Sequence, residues 1–172
     1  MSIRTYGQDC SVARSLEIVG ERWTILIIRN ALLGECRFDT FLNNLGLARN
    51  ILTERLNTLV ESGIFERVPY QQRPLRHEYK LTPKGQEFGS VVLSLMQWGD
   101  KYLAGKAGPP RTTEHVNCGG STEVHVMCTK CGESVHPGDV ITHLVTPPPI
   151  TRAVRVATRT RQPATRTRRR SP

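Results

Sequence analysis

Apolar positions recur along the first two thirds of this chain with the spacing of helices that each bury one side. In residues 50–61, Leu52, Leu56, Leu59 and Val60 fall at i, i+4, i+7 and i+8, a single stripe. The opposite side carries Asn50, Thr53, Glu54, Asn57 and Glu61. Ser62-Gly63 ends this helix, since Gly63 suits the left-handed residue that follows a helix. Just before it, Phe38, Phe41, Leu42 and Leu45 point inward from a short helix that begins near Arg37. Gly46 is the turn between the two, and Leu47 leads into the second. Residues 64–70 then read as a strand, 71–76 as a turn containing Pro74, and 77–81 as the return strand. Thr82 can cap the next helix and Pro83 suits its first position. That helix runs to about residue 103 and places Phe88, Val91, Val92, Leu95, Met96, Trp98 and Tyr102 on a broad face. Nearer the start, Asp9 or Ser11 can cap a helix reaching about Val19. Residues 21–33 form a helix apolar on most sides, the pattern of a helix at the centre of its domain.

Two helices joined by a short glycine-containing turn are a helix-turn-helix, and the second helix of such a pair enters the major groove of DNA. The hairpin that follows carries Arg73 and Arg76 with no acid between them, as phosphate contact requires. The expected fold is therefore mainly α with a small β-hairpin wing, a winged helix-turn-helix domain over residues 1–104. Arg49, Asn50, Thr53 and Asn57 are the candidates to approach base edges and flanking phosphates. Arg73 and Arg76 would hold the wing to the DNA backbone or the adjacent minor groove. The plainer alternative is a generic helical hairpin followed by an ordinary β-hairpin.

Three segments carry a resemblance. They are CSVARSLEIVGERWTILIIR at 10–29, residues 37–63, and RHEYKLTPKG at 76–85. In this order they resemble the HxlR-type branch of the winged helix-turn-helix transcriptional regulators, related to the MarR group, over roughly residues 8–103. Glu21 stands where a small residue is usual. The resemblance implies a DNA-binding regulator, and it implies a sensor role for a cysteine placed like Cys10, because the family includes redox and aldehyde sensors. Cys10 also sits at a helix start, where the helix dipole favours thiolate, with Arg14 one turn on. A small residue packed at a dimer contact is the equal alternative. Cys36 carries no expected role beyond packing.

The last helix of the domain is too apolar for a helix lying on a small monomer. Trp98 and Tyr102, at i and i+4, sit at its far end, where little of the domain remains to cover them. The expected partner is a second copy, joined through this helix and the first. Packing against the chain's own first helix is the alternative. A homodimer would read two half-sites about one helical turn apart, hence a near-palindromic operator.

Charge changes the picture less than the total suggests. The net charge is +9, but eight arginines and no acid follow Val140, which leaves +1 for residues 1–139. The DNA reading thus rests on clustered cations (Arg49, Arg73 and Arg76) and not on overall basicity. No apolar run reaches the ~20 residues of a membrane span. The N-terminus lacks the apolar core of a secretory signal. Five cysteines without such a signal suggest a reducing cytoplasm with thiol or metal roles. Residues 146–172 are rich in Pro, Thr and Arg and are expected to be disordered. They fit a sequence-independent phosphate tether, a solvated tail without a role, or the product of a shifted reading frame near Val145.

Beyond a linker at 105–111, residues 112–145 form a Cys/His-rich module. His115-x-x-Cys118-Gly and Cys128-x-x-Cys131-Gly repeat one device: two ligands three positions apart, then a glycine for the backbone bend. One histidine and three cysteines make a closed tetrahedral set, which favours a structural zinc in a small ribbon with a strand over 122–127. Only nine residues separate the halves, against about 15–20 in paired Cys-x-x-Cys ribbons. A metal-free hairpin is the alternative. A zinc deaminase is excluded: neither His115 nor His125 is followed by x-Glu, and Met127, not Pro, precedes Cys128. No carboxylate pair, nucleophile–base pair or open metal site suggests an enzyme. The competing function is a zinc-stabilised winged-helix adaptor that binds protein.

Overall fold

The leucine stripe closes the core. Leu52, Leu56 and Leu59 are fully buried and meet Ile27, Ile28, Phe41, Ile64 and Phe65 there. The computed structural model describes residues 5–143, and the chain up to Ile141 is one unit. Its helices are Ser11–Val19 (α1), Thr24–Leu32 (α2), Phe38–Leu45 (α3) and Arg49–Glu61 (α4). An antiparallel hairpin of Phe65–Gln72 (β1) and Leu75–Leu81 (β2) follows, then Pro83–Glu87 (α5) and Gly89–Leu103 (α6). The expected tail at 146–172 lies outside the described residues.

The turns form where local chemistry dictates. Gly46 and Gly63 take φ of 62° and 71°, the left-handed conformation expected after α3 and α4. The Thr82 hydroxyl accepts the Gly85 N–H at 3.2 Å and donates to the Gly63 carbonyl at 2.7 Å, so one side chain caps α5 and ties it to the end of α4. A Cβ on the buried Gly85 would stand 2.3 Å from the Ile64 carbonyl oxygen. Only glycine lets α5 press this close to the start of the wing.

Six expectations need correction. Neither Asp9 nor Ser11 caps α1: Cys10 occupies the cap without a side-chain hydrogen bond, and Asp9 pairs with Arg14. The second helix starts at Thr24, because Trp23 takes a left-handed φ of 80° that a helix cannot include. It is not buried all round, since Leu26 and Leu32 on it and Leu33 at its end are exposed. The long helix at 83–103 is broken at Phe88, where α5 packs on β2 while α6 turns to pack on α2. The wing turn is narrower than 71–76: Gln71 pairs with Arg76 and Gln72 with Leu75, leaving Arg73-Pro74 at the tip. Finally, 122–127 is not a strand: Met127 alone within it makes a bridge, to Ser134, because its two ends pair with different segments, Thr122 with Thr113 and Val126 with Val135.

Candidate nucleic-acid interface

Burying Leu52, Leu56 and Leu59 turns the other side of α4 to solvent. Asn50, Thr53 and Asn57 are all exposed there, at i, i+3 and i+7. Among the described residues no hydrogen bond engages the side chain of Asn50 or Asn57. An unengaged amide offers both a donor and an acceptor to a base edge. The Thr53 hydroxyl instead donates to the Arg49 carbonyl at 2.8 Å, and its oxygen keeps the capacity to accept. Arg49 is drawn back toward α3, its guanidinium 5.0 Å from the Phe38 ring and 3.4 Å from Asp39. Both ends of that ion pair are exposed, so a phosphate can replace the carboxylate at small cost.

The wing places Arg73 at its tip and Arg76 within β2, both exposed. Among the described residues neither has an ion-pair partner. Arg67, opposite Tyr79 on β1, shares that state. A single cation on a strand carries no local signal in the sequence.

Two further arginines position the interface. Arg37 forms a single β-bridge with Glu78, lies 4.7 Å over the Tyr70 ring, and sets its Nε 3.4 Å from the Glu78 carboxylate. Beside it the Tyr79 N–H donates to the Cys36 carbonyl at 2.7 Å. The wing is thereby fastened to the start of α3. Burial, and then the neighbouring Glu78, push the Cys36 thiol above its ordinary pKa, which keeps it protonated. Arg55, a mostly buried side chain on α4, reaches Glu21 at 3.2 Å and Glu54 at 3.1 Å, locking α4 to the turn before α2. No sequence periodicity pairs residues this far apart.

No residue of α6 is buried, and its Trp98 and Tyr102 are 56% and 60% exposed with rings 5.5 Å apart. Val91 and Leu95 extend this apolar stripe, and Val12 and Leu16 on α1 are exposed as well. Between α1 and α5–α6 lies an open groove of about 250 Å³, lined by Ile18, Val19, Ile64, Phe88 and Val91.

Cys10 is exposed at the start of α1. The cation expected to favour its thiolate, Arg14, is held by Asp9. His115 Nδ1 and Cys118 Sγ come within 3.3 Å of each other. The Cys128 thiol is held below its ordinary pKa by the backbone N–H groups of Cys131 and Lys130 and by the Cys131 thiol. The two pairs are not gathered into one set: among the described residues no three His, Cys, Asp or Glu side chains converge on a metal position. Also among the described residues, no helix is long and apolar enough to cross a membrane.

Residues 18–107 match the family model for the HxlR-like helix-turn-helix. An uncharacterised HTH-type transcriptional regulator of Mycobacterium tuberculosis, Rv3095, is 49% identical over 125 residues, 73% of this chain and 79% of that one. The crystal structure of PA1607, a candidate transcription factor, is similar with a TM-score of 0.72 at 32% identity, covering 80% of this chain and 96% of that one. The redox regulator HypR in its reduced form is similar at TM-score 0.51 and 29% identity, over 54% of this chain and 92% of that one.

Proposed function

This chain belongs to the HxlR-like helix-turn-helix family and is a transcriptional regulator of the helix-turn-helix type, and from that premise we propose that it acts in the cytoplasm as a homodimer on a near-palindromic operator. The observation that carries this reading is the outward face of α4. Asn50, Thr53 and Asn57 form one line of exposed polar side chains on a helix seated by three buried leucines. Asn50 and Asn57 would read base edges in the major groove, Thr53 a base edge or phosphate, and Arg49 a flanking phosphate. Arg73 and Arg76 would hold the wing to the backbone or the adjacent minor groove. The exposed faces of α1 and α6 support the dimer, because an apolar stripe ending in two neighbouring aromatics suits a self-complementary contact.

Binding of the chain to its own upstream DNA, followed by gel shift across a salt series, tests this reading. Arg76→Ala should weaken binding to all sequences alike and reduce the slope of log affinity against log salt by about 1. If both stay unchanged, the wing assignment is wrong. Failure of the unaltered chain to shift any fragment, alongside capture of a protein partner by the same surface, would favour the adaptor reading.

The likeness to a redox regulator supports a second element of the proposal, a redox-responsive Cys10. Its exposed position on the helix that would form the dimer contact connects a change at sulfur to the angle between the two α4 helices. Treatment with diamide should lower operator affinity in the unaltered protein and leave Cys10→Ser unaffected. An equal response in both proteins would rule out Cys10 as the sensor.

A further inference from the structure

The segment after α6 shows the same backbone device twice, at an interval of thirteen residues. In the first copy the His115 N–H donates to the Gly120 carbonyl and the Gly119 N–H to the His115 carbonyl, both at 2.8 Å. In the second the Cys128 N–H donates to the Glu133 carbonyl at 2.9 Å and the Gly132 N–H to the Cys128 carbonyl at 2.8 Å. Single β-bridges close both, Glu114 with Ser121 and Met127 with Ser134. Gly119 and Gly132 take matching left-handed φ values of 68° and 75°. Each knuckle presents its first and fourth side chains, His115 with Cys118 and Cys128 with Cys131.

Nothing apolar explains why these knuckles form. Across residues 112–143 no residue is buried. The tie to the rest of the domain is polar: Gln97 on α6 donates to the Thr122 carbonyl at 3.1 Å and accepts the Val124 N–H at 3.0 Å. A segment this size without a core ordinarily needs a metal or a cross-link to hold a defined shape. Nor do the thiols pack: Cys118 and Cys131 are exposed and Cys128 half-buried. His115 is the imidazole that the first knuckle itself presents, its Nδ1 3.3 Å from the Cys118 thiol, whereas His125 lies between the knuckles, 2.9 Å from Glu123.

We propose that this segment is a structural zinc site, in which one ion is held by His115, Cys118, Cys128 and Cys131 and draws the two separately placed knuckles together. Three thiolates and one imidazole complete a closed tetrahedral shell with no open position, so the ion supports shape and not catalysis. Binding releases three thiol protons to solvent and involves no change of oxidation state. The proposal does not depend on the DNA-binding reading.

The test is a cobalt titration of the reduced, metal-free full chain. One equivalent per chain should produce the visible d–d absorption of tetrahedral cobalt with sulfur-to-metal charge transfer, and one equivalent of zinc should discharge it. Cys118→Ser, Cys128→Ser and Cys131→Ser should each lose tight binding, and His115→Ala should weaken it. Cys10→Ser and Cys36→Ser should keep it unchanged. Circular dichroism checks that every variant keeps its helices. Zinc should also slow proteolysis within residues 112–143 of the unaltered chain and not of Cys118→Ser. The proposal is overturned by absence of the tetrahedral spectrum, by its survival in the knuckle variants, or by loss of binding on changing Cys10 or Cys36. A stoichiometry other than one, or a Cys128–Cys131 disulfide forming in a chain that takes up no cobalt when reduced, would overturn it as well.

Discussion

Phe41→Ala is expected to lower the unfolding free energy by about 3–5 kcal/mol. Phe41 is completely buried, and its ring meets that of Phe65 edge to face at 6.5 Å. That contact joins α3 to the start of β1, beneath Leu52 and Leu56 of α4. Removing the ring deletes transfer energy and leaves a cavity, which helices braced on both sides cannot close. A small domain has only about 5–15 kcal/mol in all, so most of the margin would go. Urea unfolding followed by circular dichroism measures it, with Phe41→Leu as a graded control expected to lose less. A loss below about 1 kcal/mol for Phe41→Ala would mean that the ring is not at the centre of the core. DNA binding should fall with the folded fraction, because this ring also fixes the angle between the helix-turn-helix and the wing.

Trp98→Ala combined with Tyr102→Ala should have the opposite signature, an intact fold and a lost assembly. Both side chains are more than half exposed, so truncating them leaves no cavity within the chain. At a dimer contact, central aromatics commonly carry 2 kcal/mol or more each, about thirtyfold or more in the association constant. On the proposed homodimer, the double variant should therefore sediment as a monomer at concentrations where the unaltered chain is expected to sediment as a dimer. Its unfolding should remain cooperative. Affinity for an operator with two half-sites should drop by at least about tenfold, while affinity for an isolated half-site changes little. Dimeric sedimentation of the double variant would place the partner contact on some other face.

The two substitutions separate features that look alike in the sequence. Phe41 and Trp98 are both large aromatics on amphipathic stretches, and periodicity assigns each an apolar side. It does not say whether that side faces the chain's own core. The structure buries Phe41 completely and leaves Trp98 open, because α6 lies at the margin of a core already filled by α2, α3 and α4. The same limit explains the helix at residues 21–33. Its apolar count suggested burial all round, yet Leu26, Leu32 and Leu33 are exposed. A small domain does not have enough interior to cover every apolar side chain.

The amino-acid sequence by itself determined the order of elements, the stripe that seats α4, the glycine stops at 46 and 63, and the Thr82-Pro83 helix start. These depend on interactions within a few residues of each other, where spacing and capping chemistry act directly. The outward polar line of Asn50, Thr53 and Asn57 was legible for the same reason, being the complement of the leucine stripe. Tertiary structure alone decided that Arg37 fastens the wing, that Arg49 is drawn toward Asp39, and that Arg55 bridges to Glu21. It also decided that the helix breaks at Phe88 and that the turn at the wing tip narrows to Arg73-Pro74. The tip follows from the register of β1 on β2, and the ion pairs and the break at Phe88 depend on groups from different elements meeting in space; no local period encodes which of them will meet.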